Sequence, residues 1–370
     1  MKKNLSLYIH IPFCTKKCLY CSFVVAVGKD NHQESYVEAL KKEALFYGRE
    51  DIYTVYIGGG TPSLLTDQRM ESLFLLLRQH FNIAPQAEIT IEMNPEDVTV
   101  EKCKNYLEMG INRFSLGIQT FHEPSLKMLG RVHTVEKAKE AYDKVRQAGA
   151  DNVSIDVMFC FPHQTKNHLQ NDLTQATALN PDHISLYALT VEPMSRFFAQ
   201  GVKLPEEGIQ AEYYETVRCY LTSHGYEQYE ISNFAKRDKA SQHNMNYWQG
   251  GEYIGLGVGA HSFYKKRRFW NEDRLAKYLA SVSNGKKPEA GSERLNDNQL
   301  ARELVLFGLR MNSGVDVNEI QDRFQVSFGQ PWLDKVDGFI KDQFLERNKS
   351  FVCTTDKGRL VLDELCSRLV

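Results

Sequence analysis

Residues 5–21 read LSLYIHIPFCTKKCLYC, an apolar run that leads directly into three closely spaced cysteines. The run over Leu5–Ile11 predicts a short buried strand. Cys14, Cys18 and Cys21 follow it in C-x3-C-x2-C spacing, whereas the other five of the eight cysteines are scattered along the chain. Three thiols within eight residues favour ligation of an inorganic centre over disulfide pairing.

Two kinds of centre fit three cysteines in one loop. Structural zinc normally takes four ligands, but no fourth cysteine is near, and His10 lies inside the strand pattern. A [4Fe–4S] cluster held by Cys14, Cys18 and Cys21 leaves one iron without a protein ligand. That open iron is a place for a substrate or cofactor to bind.

One unit, a short β-rich apolar run followed by an amphipathic segment, recurs six times in the first half of the chain. This alternation predicts parallel strands joined by right-handed crossovers, and the expected fold class is α/β with a partial (β/α)6 parallel barrel. The predicted strands are 5–11, 54–57, 88–92, 113–118, 152–158 and 183–189. The predicted helices between them are 34–47, 67–80, 100–109, 135–148 and 168–179.

Polar residues lie at the carboxyl ends of these strands. Gly58-Gly59-Gly60-Thr61 closes the second strand, Glu92 and Asn94 close the third, Gln119 closes the fourth, and Asp156 lies within the fifth. The carboxyl ends of parallel strands face the ligand in α/β folds, so we expect these groups to share one surface with the cysteine loop.

The segment YIHIPFCTKKCLYC at 8–21 resembles the signature of radical S-adenosylmethionine proteins, with Tyr20 as the aromatic residue before the third cysteine. The resemblance implies that the open iron chelates S-adenosylmethionine and that an electron from the cluster cleaves it to a 5′-deoxyadenosyl radical. It also implies an S-adenosylmethionine site that brings together an aromatic pair, the glycine motif and polar strand-end residues. Those residues are Tyr8, Tyr20, Gly59, Gly60, Thr61, Glu92, Gln119, Arg131 and Asp156.

The resemblance extends along the whole chain to the branch that contains oxygen-independent coproporphyrinogen III dehydrogenases and haem chaperones. The dehydrogenases carry a further cysteine where this chain has Phe23, which favours the chaperones. The segment HNMNYW at 243–248 resembles the chaperones' H-N-x-x-Y-W motif, which implies haem binding by His243, Tyr247 and Trp248. His261 and Cys160 are weaker candidates for a haem ligand. The basic run 265–268 is typical of a solvated turn, with haem propionates or lipid head groups as alternative partners.

The rest of the chain predicts three regions. Residues 1–228 form the radical S-adenosylmethionine core, 229–295 form a small α+β accessory region that carries HNMNYW, and 296–370 form a winged-helix-like domain. The last region has 10 Lys and Arg against 12 Asp and Glu, so it lacks the basic face of a DNA reader.

Three functions follow from these features. The favoured one is a haem chaperone that transfers haem to acceptor haemoproteins, and the enzymatic alternative is oxidative decarboxylation of coproporphyrinogen III. The third is a nucleic-acid-binding regulator with a cysteine zinc knuckle, which the near-neutral tail and a net charge of −2 disfavour.

The resemblance also implies partners and a location. We expect haem, acceptor haemoproteins, an electron donor such as flavodoxin and a second copy of the chain in a homodimer. We expect no nucleic acid and at most peripheral membrane contact, because no apolar stretch approaches the ~20 residues that span a bilayer. Because cysteines that serve as cluster ligands must stay reduced, we expect a cytoplasmic protein.

Overall fold

A computed structural model describes residues 5–369. Its centre is a run of six parallel strands that lie side by side in chain order, as the strand–helix alternation predicts. The register places Leu7 opposite Val55 and Ile9 opposite Ile57, so the apolar residues of neighbouring strands meet in the core. The strands are β1 Leu5–Ile11, β2 Asp51–Gly59, β3 Asn82–Met93, β4 Arg113–Gln119, β5 Val153–Phe159 and β6 His183–Ala188.

Amphipathic helices connect these strands. Several begin at a threonine whose hydroxyl accepts a backbone N–H of the first turn, as at Thr66, Thr99, Thr134 and Thr165. The predicted helices occur within three residues of their predicted ends. The helices of this half are α1 Gln33–Ala44, α2 Asp67–His80, α3 Val100–Glu108, α4 Glu123–Leu129, α5 Val135–Gln147, α6 Lys166–Ala178, α7 Arg196–Ala199 and α8 Glu207–Ser223.

The predicted accessory region, together with the two residues before it, adds strands to both edges of the parallel run. On one edge β7 (Glu227–Glu230) and β8 (Asn233–Ala235) pair antiparallel beside β6. On the other edge β9 (Tyr253–Leu256) lies parallel to β1 and starts an antiparallel series. The sheet of the described residues therefore has 12 strands, completed by β10 His261–Tyr264, β11 Arg267–Asn271 and β12 Glu289–Arg294.

Two helices belong to this accessory region. The HNMNYW segment forms α9 (Gln242–Trp248), and α10 (Leu275–Ser283) packs on α1. Ser241 begins α9, because its hydroxyl accepts the backbone N–H of Asn244.

The C-terminal region has the helices and three-stranded sheet expected of a winged-helix-like unit. It has its own apolar core, which includes Val305, Ile320, Trp332 and Val336. Its strands are β13 Val315–Asp316, β14 Leu345–Asn348 and β15 Phe351–Thr354, in the order β13-β15-β14. Its helices are α11 Asp297–Gly308, α12 Val317–Phe324, α13 Gln330–Lys341, α14 Asp356–Arg359 and α15 Leu362–Leu369.

Between residues 5 and 369 no helix is both long and apolar enough to cross a membrane.

Candidate functional site

The cysteine loop follows β1 and is held against the carboxyl end of the sheet. Leu19 N–H donates to Leu129 O at 3.0 Å, and Phe197 N–H donates to Leu19 O at 3.0 Å. Gly130, with φ +82°, ends α4 beside Leu19, where a β-carbon would lie 3.2 Å from the Leu19 nitrogen. The loop is therefore fixed at its middle residue, between two cysteines.

The three thiols are free and half-buried. Cys14 Sγ lies 3.5 Å from Thr61 Oγ1, and Arg131 Nη1 donates to Cys18 Sγ at 3.6 Å. Burial raises the pKa of the Cys14 thiol to about 11, so a thiolate there needs a cationic partner. Across residues 5–369 no three His, Cys, Asp or Glu side chains converge as ligands of a single metal ion. A [4Fe–4S] cluster makes a different demand, because each cysteine binds its own iron.

Two glycines after β2 let the chain pass close to the cysteine loop. Gly59 has φ +110°, and a β-carbon there would lie 2.5 Å from the His10 ring. At Gly60 a β-carbon would lie 2.7 Å from the Pro12 carbonyl oxygen. Both positions therefore require glycine, and the backbone there is left uncovered by a side chain.

Glu92 lies at the end of β3, directly across from these glycines. It accepts hydrogen bonds from Gly59 N–H at 3.0 Å and from the Tyr56 hydroxyl at 2.7 Å. Burial, followed by the nearby Asp156, raises the pKa of Glu92 to about 7. The carboxyl is thus half-protonated near neutral pH and is suited to accept hydrogen bonds from hydroxyl groups when ionised.

Arg131 connects the cysteine loop to the strand ends. Its Nη2 donates to Asn94 Oδ1 at 2.7 Å and to Gly117 O at 2.8 Å, while its Nη1 contacts Cys18. Asn94 Nδ2 in turn donates to Thr61 Oγ1 at 3.0 Å. The Nε of Arg131 is buried and has no hydrogen-bond partner within the described residues, so it is available to an anionic ligand.

The Arg131 guanidinium also stays protonated and positively charged. Burial alone would lower its pKa, but the neighbouring Tyr20 and Cys18 outweigh burial, and the net shift is upward. A fixed guanidinium at this position suits a carboxylate such as that of S-adenosylmethionine.

Gln119 and Asp156 complete the polar rim. Gln119 has φ +73°, a strained conformation for a residue with a side chain, and its Oε1 accepts from the Tyr187 hydroxyl at 3.0 Å. Asp156 accepts from Ser115 Oγ at 3.1 Å, and burial raises its pKa to about 6.

The two tyrosines of the predicted site have different neighbours. Tyr20 packs in a small apolar cluster with Leu129 and Phe197. The Tyr8 ring stacks on Tyr56 at 6.3 Å, and its hydroxyl bonds to His10 Nδ1 at 3.0 Å.

The three residues of the HNMNYW helix that the sequence assigns to haem have different surroundings. His243 is 1 % exposed, and both of its ring nitrogens are occupied, Nδ1 by Thr54 Oγ1 at 2.8 Å and Nε2 by the Tyr247 hydroxyl at 2.9 Å. Glu88 accepts the His243 backbone N–H at 3.0 Å. His243 is thus part of the packing between α9 and the sheet, and burial lowers its pKa to about 3.

Tyr247 and Trp248 instead line a cavity of about 1800 Å³. The Tyr247 ring meets Tyr253 edge-on at 4.7 Å, and Trp248 meets Phe307 of α11 at 6.4 Å. The Trp248 Nε1 is buried and lacks a hydrogen-bond partner within residues 5–369. The walls come from strands β9, β10 and β11, here called the sheet extension, and from α11 and α12 of the C-terminal region. Tyr8 and Phe23 line the side of the cavity nearest the cysteine loop.

The cavity is also lined by two histidines, His10 and His261, and by three cationic side chains. His261 lines it, whereas Cys160 is fully buried in the main apolar core. Lys266 pairs with Asp297 at 2.6 Å, and Arg268 pairs with Glu303 at 2.6 Å and with Glu293 at 2.8 Å. Arg323 lies over the Phe324 ring and has no carboxylate partner in the described part of the chain.

This arrangement has counterparts in known proteins. Residues 8–176 match the radical SAM superfamily model, and residues 295–361 match the model of the HemN C-terminal domain. The chain is 32% identical to the heme chaperone HemW of Lactococcus lactis over 97% of this chain and 95% of that protein. The chain belongs to the HemW family. The HemW of Escherichia coli is 40% identical over 70% of this chain and 69% of its own length.

A solved structure shares the fold along almost the whole chain. Escherichia coli HemN, described as a coproporphyrinogen III oxidase and a radical SAM enzyme, superposes with a TM-score of 0.87 at 25% identity, covering 99% of this chain and 90% of that one. The α/β radical-SAM fold is therefore confirmed. Membership of this superfamily brings a [4Fe–4S] cluster and S-adenosylmethionine as cofactors.

The structure brings together the strand-end residues that the sequence singled out, and it adds two partners, Tyr56 and Tyr187. Tyr56, Asn94 and Tyr187 hold Glu92, Arg131 and Gln119 in place. Asn94 was recognisable as a polar strand end. Tyr56 and Tyr187 resemble ordinary strand residues and carry no sequence signal. The same is true of Arg323, which reaches the cavity only because α12 packs there.

Proposed function

We propose that this protein is a haem chaperone that binds haem in the cavity between the sheet extension and α11–α12 and passes it to acceptor haemoproteins. The observation that carries the proposal is the cavity, which has aromatic walls at Tyr247, Trp248 and Phe307. A porphyrin is a flat apolar ring with two carboxylates, so it needs aromatic walls and cations. The names of the relatives agree with this use.

In this proposal the HNMNYW helix acts through its last two residues. Tyr247 and Trp248 contact the porphyrin, and the unpaired Trp248 Nε1 can donate to a propionate. His243 supports the wall from behind by holding the Tyr247 hydroxyl.

The three cationic side chains of the cavity differ in whether a carboxylate of the protein already pairs with them. Arg323 is free to bind a propionate, whereas Lys266 and Arg268 must share theirs with Asp297 and Glu303. A bidentate guanidinium contact suits a carboxylate well.

For the cofactors we propose Cys14, Cys18 and Cys21 as the ligands of the [4Fe–4S] cluster, which supplies a one-electron donor and an open iron when bound. The uncovered backbone at Gly59–Gly60, with Thr61, receives the methionyl group. Glu92, Gln119 and Asp156 accept hydroxyl hydrogen bonds, and Arg131 binds the carboxylate. The buried unpaired Nε of Arg131 supports this fit.

The finer partner assignments are also proposals. An electron donor such as flavodoxin would dock near the cysteine loop, where Val132 and Phe198 are exposed next to Arg131 and Phe197. We further propose a homodimer, no nucleic-acid partner, at most peripheral membrane contact and a cytoplasmic location. The eight unpaired cysteines support a reducing compartment.

The second candidate is the oxidative decarboxylation of coproporphyrinogen III, which the likeness to HemN favours. Against it stands Phe23, 63% exposed at the cavity, where the dehydrogenases carry a cysteine.

One paired experiment tests the proposal. Anaerobically purified protein with an intact cluster is titrated with haem and, separately, incubated with coproporphyrinogen III, reductant and S-adenosylmethionine. The proposal predicts a saturable haem absorption band, transfer of that haem to an apo-globin and no protoporphyrinogen. Protoporphyrinogen formation, or the absence of a saturable band, would refute it.

A further inference from the structure

His261 differs from the other histidines near the cavity in having both ring nitrogens free. It opens β10, lines the cavity and is exposed to it, and within the described residues neither nitrogen has a hydrogen-bond partner. An imidazole binds a metal through a nitrogen lone pair, so a free nitrogen directed at open space is the first requirement of a ligand.

The other two histidines fail this requirement. His10 bonds to Tyr8 through Nδ1 at 3.0 Å and to Val24 O through Nε2 at 2.8 Å. His243 bonds to Thr54 and Tyr247 at 2.8 and 2.9 Å and is 1% exposed. Either ring would have to break a buried hydrogen bond and leave its site before it could reach iron.

We infer that His261 supplies the axial nitrogen that binds haem iron in this cavity, an inference that rests on the proposed haem-chaperone function. The step forms one coordination bond, from an imidazole lone pair to iron, and releases a weakly held solvent ligand. No electron or proton changes place. His243 is then a positioning residue, which fixes Tyr247 in the cavity wall.

The surroundings of His261 suit this role. Its ring stacks on Trp270 of the neighbouring strand at 5.9 Å and 24°, and the two residues are paired in the β10–β11 register. A stacked ring on a strand is oriented before the ligand arrives. The cationic neighbour Arg268 lies on the same strand pair. Partial desolvation of the ring, followed by this charge, lowers the pKa of His261, so the imidazole is neutral at neutral pH.

The test is a haem titration of cluster-intact protein, followed by absorption and EPR spectra, for the wild type, His261→Ala, His243→Ala and His224→Ala. His224 is an exposed histidine at the end of α8 and serves as the matched control. Loss of the residues around a metal ligand costs about 10–100-fold in metal affinity, so His261→Ala should weaken haem binding at least about tenfold and lose the nitrogen-ligated spectrum. Added imidazole should restore that spectrum in His261→Ala.

The His243→Ala variant distinguishes binding of the haem iron from structural support of the cavity wall. It should lower the midpoint of thermal unfolding while the folded fraction keeps the nitrogen-ligated spectrum. His224→Ala should behave as the wild type in both measurements.

The outcomes distinguish the inference from the function it rests on. If the wild type binds haem but His261→Ala keeps the wild-type spectrum and affinity, the ligand assignment is overturned and the chaperone proposal stands. If His243→Ala alone loses the axial signal, the assignment is likewise overturned. If the wild type binds no haem, both proposals fail.

Discussion

Arg131 Nη1 lies 3.6 Å from Cys18 Sγ, while the same guanidinium is held by Asn94 and Gly117. A cation fixed beside one thiol favours the thiolate and balances the negative charge that three cysteines bring to a cluster.

The first prediction concerns this contact. Arg131→Met should lower the iron content and the broad cluster absorption of anaerobically purified protein, because Cys18 loses its only cationic contact in the described structure. Lys127→Met, at an exposed position on α4, is the control and should keep both. Equal iron content in the two variants would show that the guanidinium does not support the cluster.

Glu92 predicts a pH dependence of S-adenosylmethionine binding. Its pKa of about 7 means that the carboxyl is mostly protonated below neutrality and ionised above it. The ionised form accepts hydroxyl hydrogen bonds better, so affinity should rise from about pH 6 to about pH 8, by less than tenfold per unit. Equilibrium dialysis measures this. Glu92→Gln should bind S-adenosylmethionine more weakly and should lose most of this rise in affinity, and an unchanged slope in that variant would exclude Glu92 as its source.

Because the unpaired Arg323 of α12 lines the cavity, we predict that the C-terminal region takes part in binding haem. Arg323→Glu replaces the unpaired cation of α12 with a negative charge and should weaken haem affinity by about 1–3 kcal/mol, or roughly five- to 150-fold. Lys341→Glu, an exposed reversal on α13, makes the same change of net charge outside the cavity. A haem titration with the same affinity for both variants would remove the C-terminal region from the site.

We predict that Phe23 contacts the porphyrin from the other side of the cavity. Its ring is 63% exposed, and burial against a porphyrin would contribute about 1–2 kcal/mol. Phe23→Ser should therefore weaken haem binding by roughly five- to thirtyfold without altering thermal stability. Phe351→Ser, 45% exposed on β15, is the matched control. Equal haem affinities for the two variants would show that Phe23 is not part of the haem-binding surface.

The fold and the residues of the proposed cofactor site were predictable because their signals are local. The strand periodicity of Leu5–Ile11, the adjacent cysteine spacing and the glycines after β2 lie within short segments. Parallel topology then brings strand ends such as Glu92 and Gln119 to one surface.

The residues that line the proposed haem cavity were harder to predict because their environment depends on contacts distant in sequence. Thr54 occupies one nitrogen of His243 from 189 positions away, and only the packing of α9 on β2 creates that contact. The sequence motif marks the right helix, but it does not show which face of it lines the cavity. Likewise, Arg323 reaches the cavity only through the docking of α12, which no short pattern encodes.

The most direct test of the haem-chaperone account is a crystal structure of the haem-loaded protein with the iron atoms located by anomalous scattering. We expect two separate iron positions, one at Cys14, Cys18 and Cys21 and one inside the cavity lined by Tyr247, Trp248 and His261. Haem iron found anywhere outside that cavity would contradict it.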